Sequence, residues 1–130
     1  MLNKVRFYKM WIGVLAACLF AVGPVTAQQA APTDAKQLWQ LIDYVAVDYG
    51  GAVANGAIVS EAEYAEMLDF TENAGKQVQS LPAHTSRDNI AAAIGELRAA
   101  VVRKADGAEV ARLAHRANAL LLVAYPIPVA

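Results

Sequence analysis

One cysteine, Cys18, is all that the 130-residue sequence contains. An intramolecular disulfide and a thiolate metal cluster are therefore excluded, and so is redox chemistry between paired thiols. Histidine is nearly as scarce. His84 and His115 are far apart, and neither has a carboxylate or a second histidine at ligand spacing on the same helix, so both are expected to be exposed surface residues. No Cys-x-x-Cys-His attaches haem covalently, which leaves noncovalent haem only the two isolated histidines. A nucleophile elbow, a phosphate-cradling glycine loop and a zinc-protease helix are all missing, and no acid–base pair is placed for catalysis. The expected protein is not an enzyme and holds no cofactor of its own. Between Gln37 and Gly75 there is no lysine or arginine, and nothing in the chain offers the basic surface that nucleic acid requires.

The first residues are of a different kind from the rest. Lys4, Arg6 and Lys9 precede an uncharged apolar stretch from Met10 to Val22, and Val25-Thr26-Ala27 follow ahead of Gln28. A basic head, an apolar run and small side chains at the end are the parts of a cleavable secretory signal, with cleavage expected after Ala27. A retained anchor is disfavoured, because a spanning helix needs about 20 apolar residues and Gly23-Pro24 interrupts this one early. Leu15-Ala16-Ala17-Cys18 also fits a lipoprotein cleavage pattern. There, however, the apolar run continues through Leu19-Phe20-Ala21-Val22, where a lipidated cysteine is usually followed by a polar tether. The expected location is the periplasm. Without residues 1–27, eight Lys and Arg stand against twelve Asp and Glu, a net charge of −4 on 103 residues, enough for one modest core.

Apolar spacing in the remainder predicts helices throughout. Leu38, Leu41, Ile42, Val45 and Tyr49 recur at the helical period, with a stop expected at Gly50-Gly51 and a start near Asp34. Asn55-Gly56 signals a turn, and Ile58-Val59 reads as a hydrophobic staple. Ser60 with Glu63 makes a capping box for a second helix, which buries Tyr64, Met67, Leu68, Thr71, Ala74, Gly75 and Val78 and ends at Leu81-Pro82. A third helix, capped by Ser86, buries Ile90, Ile94, Leu97 and Val101 and breaks at Asp106-Gly107. Asp106 with Glu109 opens a fourth, whose stripe is Val110, Leu113, Ala117, Leu120, Leu121 and Ala124. Tyr125-Pro126-Ile127-Pro128 cannot continue it and reads as an extended linker stub over 125–130. The expected fold is all-α, an antiparallel up-down-up-down four-helix bundle over 28–124 with no sheet.

Leu41-Ile42-Asp43-Tyr44-Val45-Ala46-Val47-Asp48-Tyr49, then Ala52-Val53-Ala54-Asn55-Gly56, then Glu63-Tyr64-Ala65-Glu66-Met67-Leu68-Asp69-Phe70 carry a resemblance. Together they resemble the periplasmic N-terminal region of bacterial high-affinity iron/lead permeases, a group that often has a cytochrome c module before its membrane domain. The likeness extends over most of residues 36–128, and Ala124-Tyr125-Pro126-Ile127-Pro128 is similar to the stretch leading into the haem module. Gly50 stands where such proteins commonly have proline, and the arginine-glutamate-x-x-glutamate permeation motif is missing. The resemblance implies a detached or truncated extracytoplasmic domain that serves a permease and does not transport iron alone. Its implied partners are the permease membrane domain or a cytochrome c module, and its implied cargo is iron or lead.

Charge is where chemistry could sit. Asp43, Asp48, Glu61, Glu63, Glu66, Asp69 and Glu72 fall in the stretch without cations, whereas Lys76 to Arg116 holds seven basic and four acidic residues. Hard cations such as Fe2+ and Fe3+ favour carboxylate and phenolate oxygen, and Tyr44, Tyr49 and Tyr64 lie in the same acidic half. Asp48, Glu63, Glu66 and Asp69 are the candidate metal ligands. Each has a plainer reading. Glu66, Asp69 and Glu72 lie opposite the apolar stripe, where a solvated face belongs. Glu63 is a cap before it is a ligand. Asp48 falls beside Leu41 at the edge of the buried stripe, where a carboxylate needs a partner, with a tyrosine hydroxyl or an arginine of the third or fourth helix favoured over a metal. Trp39 and Tyr44 lie off the main stripe and either pack on a neighbouring helix or face a partner.

Overall fold

A computed structural model describes residues 31–128, with side chains from residue 34 onward. The expected signal, its cleavage point and Cys18 lie outside the described residues. Four helices make up most of the rest: α1 (Ala31–Ala52), α2 (Glu61–Ser80), α3 (Arg87–Val102) and α4 (Gly107–Ala124). Helix α1 packs on α2 and α4, and α3 packs on the same two, so the helices form a ring in chain order. The connections are short, neighbours run antiparallel, and the bundle is up-down-up-down as the apolar pattern requires. Residues 31 and 128 consequently lie at one end, and the α1–α2 and α3–α4 connections at the other.

The core is filled by the residues that the helical period selects. Leu38, Ile42 and Val45 of α1, Met67 and Val78 of α2, Ile90, Ile94, Leu97 and Val101 of α3, and Val110 and Leu121 of α4 are all withdrawn from water. Each such side chain contributes about 1.5–3 kcal/mol on burial, so their sum is what holds four weakly self-stable helices together. Leu41, Leu68, Leu120 and Ala124, placed on the stripes by spacing, sit at their edges and are only partly covered. Asn118 does the reverse. It lies within the α4 stripe and is buried, its Nδ2 donating to the Trp39 carbonyl at 3.2 Å while its Oδ1 has no partner.

The ends of the helices depart most from expectation. Helix α1 begins at Ala31 rather than near Asp34, since Pro32 falls in the first turn, where its missing N–H is not needed. It also runs through Gly50-Gly51 to Ala52: glycine weakens a helix by only about 1 kcal/mol, and buried Tyr49 and Ala52 anchor the last turn. A small sheet follows, within a fold that is all-α as expected but contrary to the expectation that no strands would pair. Val53–Ala54 (β1) pairs antiparallel with Ala57–Ile58 (β2), Val53 opposite Ile58 and Ala54 opposite Ala57. Strands of two residues are too short to show an alternating pattern, and the Asn55-Gly56 turn is the signal that specifies them. Both turn residues have positive φ, 53° and 75°, as a tight hairpin demands. Val59 is exposed and no staple, whereas Ile58 packs against the core.

Ser60 caps α2 as expected, its hydroxyl accepting from the Glu63 amide at 3.3 Å. The reciprocal half of the box is not made, because the Ser60 amide donates to the Ala52 carbonyl. Asp106 caps α4 through the Glu109 amide at 2.9 Å. Ser86 is not a side-chain cap. It is already αR, and its amide donates to Nδ1 of His84 at 2.9 Å. Helix α3 stops at Val102, before the Asp106-Gly107 break, in a Schellman turn: Lys104 takes the left-handed φ of 57°, its amide reaches Val101, and the Ala105 amide reaches Ala100. The expected linker stub is not a free spacer. Tyr125 and Ile127 are buried, and the Tyr125 hydroxyl donates to the Pro82 carbonyl.

Candidate functional site

Two of the three tyrosines in the acidic half face inward. The Tyr49 hydroxyl donates to the Ala105 carbonyl at 2.6 Å, and the Tyr64 hydroxyl reaches the Val101 and Val102 carbonyls at 3.1 and 3.2 Å. These acceptors are at or just past the end of α3, where carbonyls lack the full set of helical partners, although Val101 also accepts from the Lys104 amide. Tyr49 from α1 and Tyr64 from α2 thus latch the α3–α4 turn. Burial first, then the nearby Tyr64 and Asp106, push the Tyr49 hydroxyl above the ordinary tyrosine range, with Arg103 opposing. Neither residue is free to act as a phenolate ligand. Lys104 lies over the Tyr64 ring, 5.3 Å from its centroid, which helps hold the left-handed residue in place.

Tyr44 points the other way. Tyr44, Asp48, Glu63, Glu66 and Met67 line a cleft of about 190 Å³ between α1 and α2. Spacing explains the assembly: residues 44, 47, 48 and 51 share one face of α1, and 63, 66 and 70 share the facing side of α2. The Tyr44 ring meets Phe70 edge to face, 5.2 Å between centroids. At the other end Glu63 leans over Gly51, so closely that a β-carbon there would lie 2.2 Å from its carboxylate oxygen. The nearby carboxylate of Asp48, as acceptor and as charge, followed by burial and the charges of Glu66 and Glu63, raises the Tyr44 hydroxyl above its ordinary range. The group on which Asp48 acts is therefore a tyrosine of its own helix, four residues earlier, and no arginine of α3 or α4 pairs with it among the described residues.

Three of the four candidate ligands, Asp48, Glu63 and Glu66, come together here; Asp69 is exposed and does not line the cleft. Among the described residues no group of three His, Cys, Asp or Glu converges tightly enough to hold a metal ion. Nor do Asp48, Glu63 or Glu66 take part in an ion pair among the described residues. The pairs that form are Glu72 with Lys76 and Arg98, Glu96 with Arg116, and Glu109 with Arg103. His84 and His115 are exposed, as expected, and His84 rests against the Tyr125 ring. Trp39 packs on the core, which settles its role, whereas Tyr44 remains half exposed. A second cleft, about 230 Å³, opens at the opposite end between Asp34, Gln37, Gln77 and Ser80.

Because α1 and α2 are neighbours, the sequence polarity becomes a spatial one. Residues 31–80 hold eight acids and two lysines, and residues 81–128 hold six basic and four acidic residues. One side of the bundle is thus strongly negative and the opposite side weakly positive. No described helix is long and apolar enough to cross a membrane. Fold and surface together define a helical bundle domain whose distinguishing feature is an acidic groove on its outside. The chain belongs to the iron permease-associated four-helix bundle domain family, whose model matches residues 25–128. No curated protein and no solved structure matches it.

Proposed function

We propose that this bundle is an exported, periplasmic accessory domain of an iron or lead uptake permease. It docks to the permease membrane domain or to a cytochrome c module and presents Fe2+, Fe3+ or Pb2+ to it through its acidic half. The family match over residues 25–128 carries the reading. The concentration of unpaired carboxylates on the α1–α2 side supports the cation step, since such oxygens are the donors that hard cations select. Its role is noncatalytic: it gathers and hands over.

The lack of a converging ligand triad favours a second reading, in which the domain docks and binds no metal. Anaerobic calorimetric titration with ferrous iron, and titration with lead, separate the two. Saturable binding that is lost in Asp48→Asn, or in Glu66→Ala/Asp69→Ala/Glu72→Ala, supports cation delivery. Flat or merely salt-screened titrations in every protein remove it and leave the docking role. Iron uptake by cells with and without the domain tests the permease association itself.

A further inference from the structure

We propose that the groove between α1 and α2 is a docking surface for a protein segment in which a lysine or arginine is flanked by apolar side chains. The cation would sit between Tyr44, Asp48, Glu63 and Glu66, and its apolar neighbours on Val47 and Val59. This rests on the reading of the domain as an accessory that docks, and it adds the place and the chemistry of the partner.

Among the described residues, large apolar side chains are left exposed at Tyr44, Val47, Val59, Val102 and Val123. Tyr44 lines the groove, Val47 follows it by three residues on the outer surface of α1, and Val59 lies just before the Ser60 cap of α2, hydrogen-bonded to the last residue of α1. Val47 is 72 % exposed and Val59 58 %, an unusual expense of apolar surface next to a charged cleft. Exposed apolar side chains that lie close to carboxylates are the kind of patch that a partner covers.

Charge complementarity selects the occupant. Among the described residues no lysine or arginine lines the cleft, and the three carboxylates there form no ion pair. The α1 helix also ends at this groove with no basic residue in its last turn, so its partial negative charge adds to theirs. A bare metal ion fits poorly, because the carboxylates do not converge on one point. An organic cation does not need them to: its charge is spread over several donors, and the half-exposed Tyr44 ring offers a π-face. The groove also lies toward the end of the bundle away from residues 31 and 128, so a partner can reach it without meeting the chain ends.

The test uses the full chain and two capped synthetic peptides, one alternating arginine with leucine and the other glutamate with leucine, followed by calorimetry and NMR shift mapping. The arginine peptide should bind and shift residues 44–51 and 59–66, and the glutamate peptide should not bind. Asp48→Asn with Glu66→Gln should weaken binding about tenfold, as expected for two partly exposed charge pairs. Val47→Ser should weaken it without changing the salt dependence, and Gly51→Ala, which displaces the Glu63 carboxylate but keeps its charge, should weaken it too. Glu96→Gln on α3 is the control and should have no effect. Equal binding of both peptides, no binding of either, or indifference to the groove variants overturns the proposal. So does ferrous iron displacing the peptide, which would give the groove to a metal, or self-association relieved by the same variants, which would give it to a second copy. If domain-dependent iron uptake survives the groove variants, the docking surface is wrong and the accessory role stands.

Discussion

Replacing Tyr49 by phenylalanine isolates one oxygen atom. The ring is buried and phenylalanine keeps its packing, so what is lost is the 2.6 Å hydrogen bond to the Ala105 carbonyl. That carbonyl sits in the α3–α4 turn, and removing its donor leaves a partly buried acceptor unsatisfied, at a cost of about 1–2 kcal/mol. For a domain of this size the melting temperature should fall by roughly 5–15 °C. Urea titration followed by circular dichroism should show a lower midpoint with an unchanged slope, because the surface exposed on unfolding is the same. The sign of the pH dependence follows from the raised hydroxyl of Tyr49. Below about pH 10 the residue is neutral both folded and unfolded, and its contribution is fully present. Above that pH the unfolded chain loses the proton first, so stability falls as pH rises toward the folded-state value. Tyr49→Phe should therefore lie below the wild type at pH 7 and lose less stability above about pH 10. A variant within about 0.5 kcal/mol of wild type at pH 7, or one with the same alkaline decline, refutes the latch.

Lys104→Gly should relieve the left-handed backbone and stabilise the chain by about 0.5 kcal/mol, the gain being reduced by the lost contact over Tyr64; equilibrium unfolding measures it. Asn118→Leu should be stabilising by about 1 kcal/mol, since it removes a buried acceptor without a partner, and a destabilised variant would point to an internal water on Oδ1. Gly50→Ala, with open space around its β-carbon and a helical backbone, should raise stability by about 0.5–1 kcal/mol in the same assay. Ser60→Ala and Asp106→Ala should each cost about 1 kcal/mol as lost caps, and Ser86→Ala, whose hydroxyl caps nothing, should cost less.

The helices were legible because their information is periodic: the four positions of α3 expected to be buried are buried, and the caps at Ser60 and Asp106 are made by the side chains that the spacing names. What could not be read depends on contacts between segments distant in sequence. Tyr49 could be placed on a buried stripe, but not its bond across 56 residues to Ala105. Asn118 breaks the apolar pattern of α4, although its position in line with Ala114 and Leu121 marks it as inward. The hairpin rests on two residues per strand, below the length at which alternation means anything. In the groove, the share of Asp48, Glu63 and Glu66 could be anticipated from helix faces. So could the separation of Tyr44, off the apolar stripe, from Tyr49 and Tyr64 on it; the α3 and α3–α4 carbonyls that the two inward hydroxyls reach could not, because they are set by how the bundle closes.

That residues 31 and 128 lie at the same end of the bundle has a mechanical meaning. Tension applied through them does not shear α1 along α4; it opens the pair like a zipper, loading one contact at a time. The Trp39–Asn118 bond is close to where opening begins, and the two tyrosine bonds lie at the far end. The domain is compliant where it is held and stiff where the hairpin sits, so a pull on its ends frays the near turns while the groove and the latch beneath it keep their form.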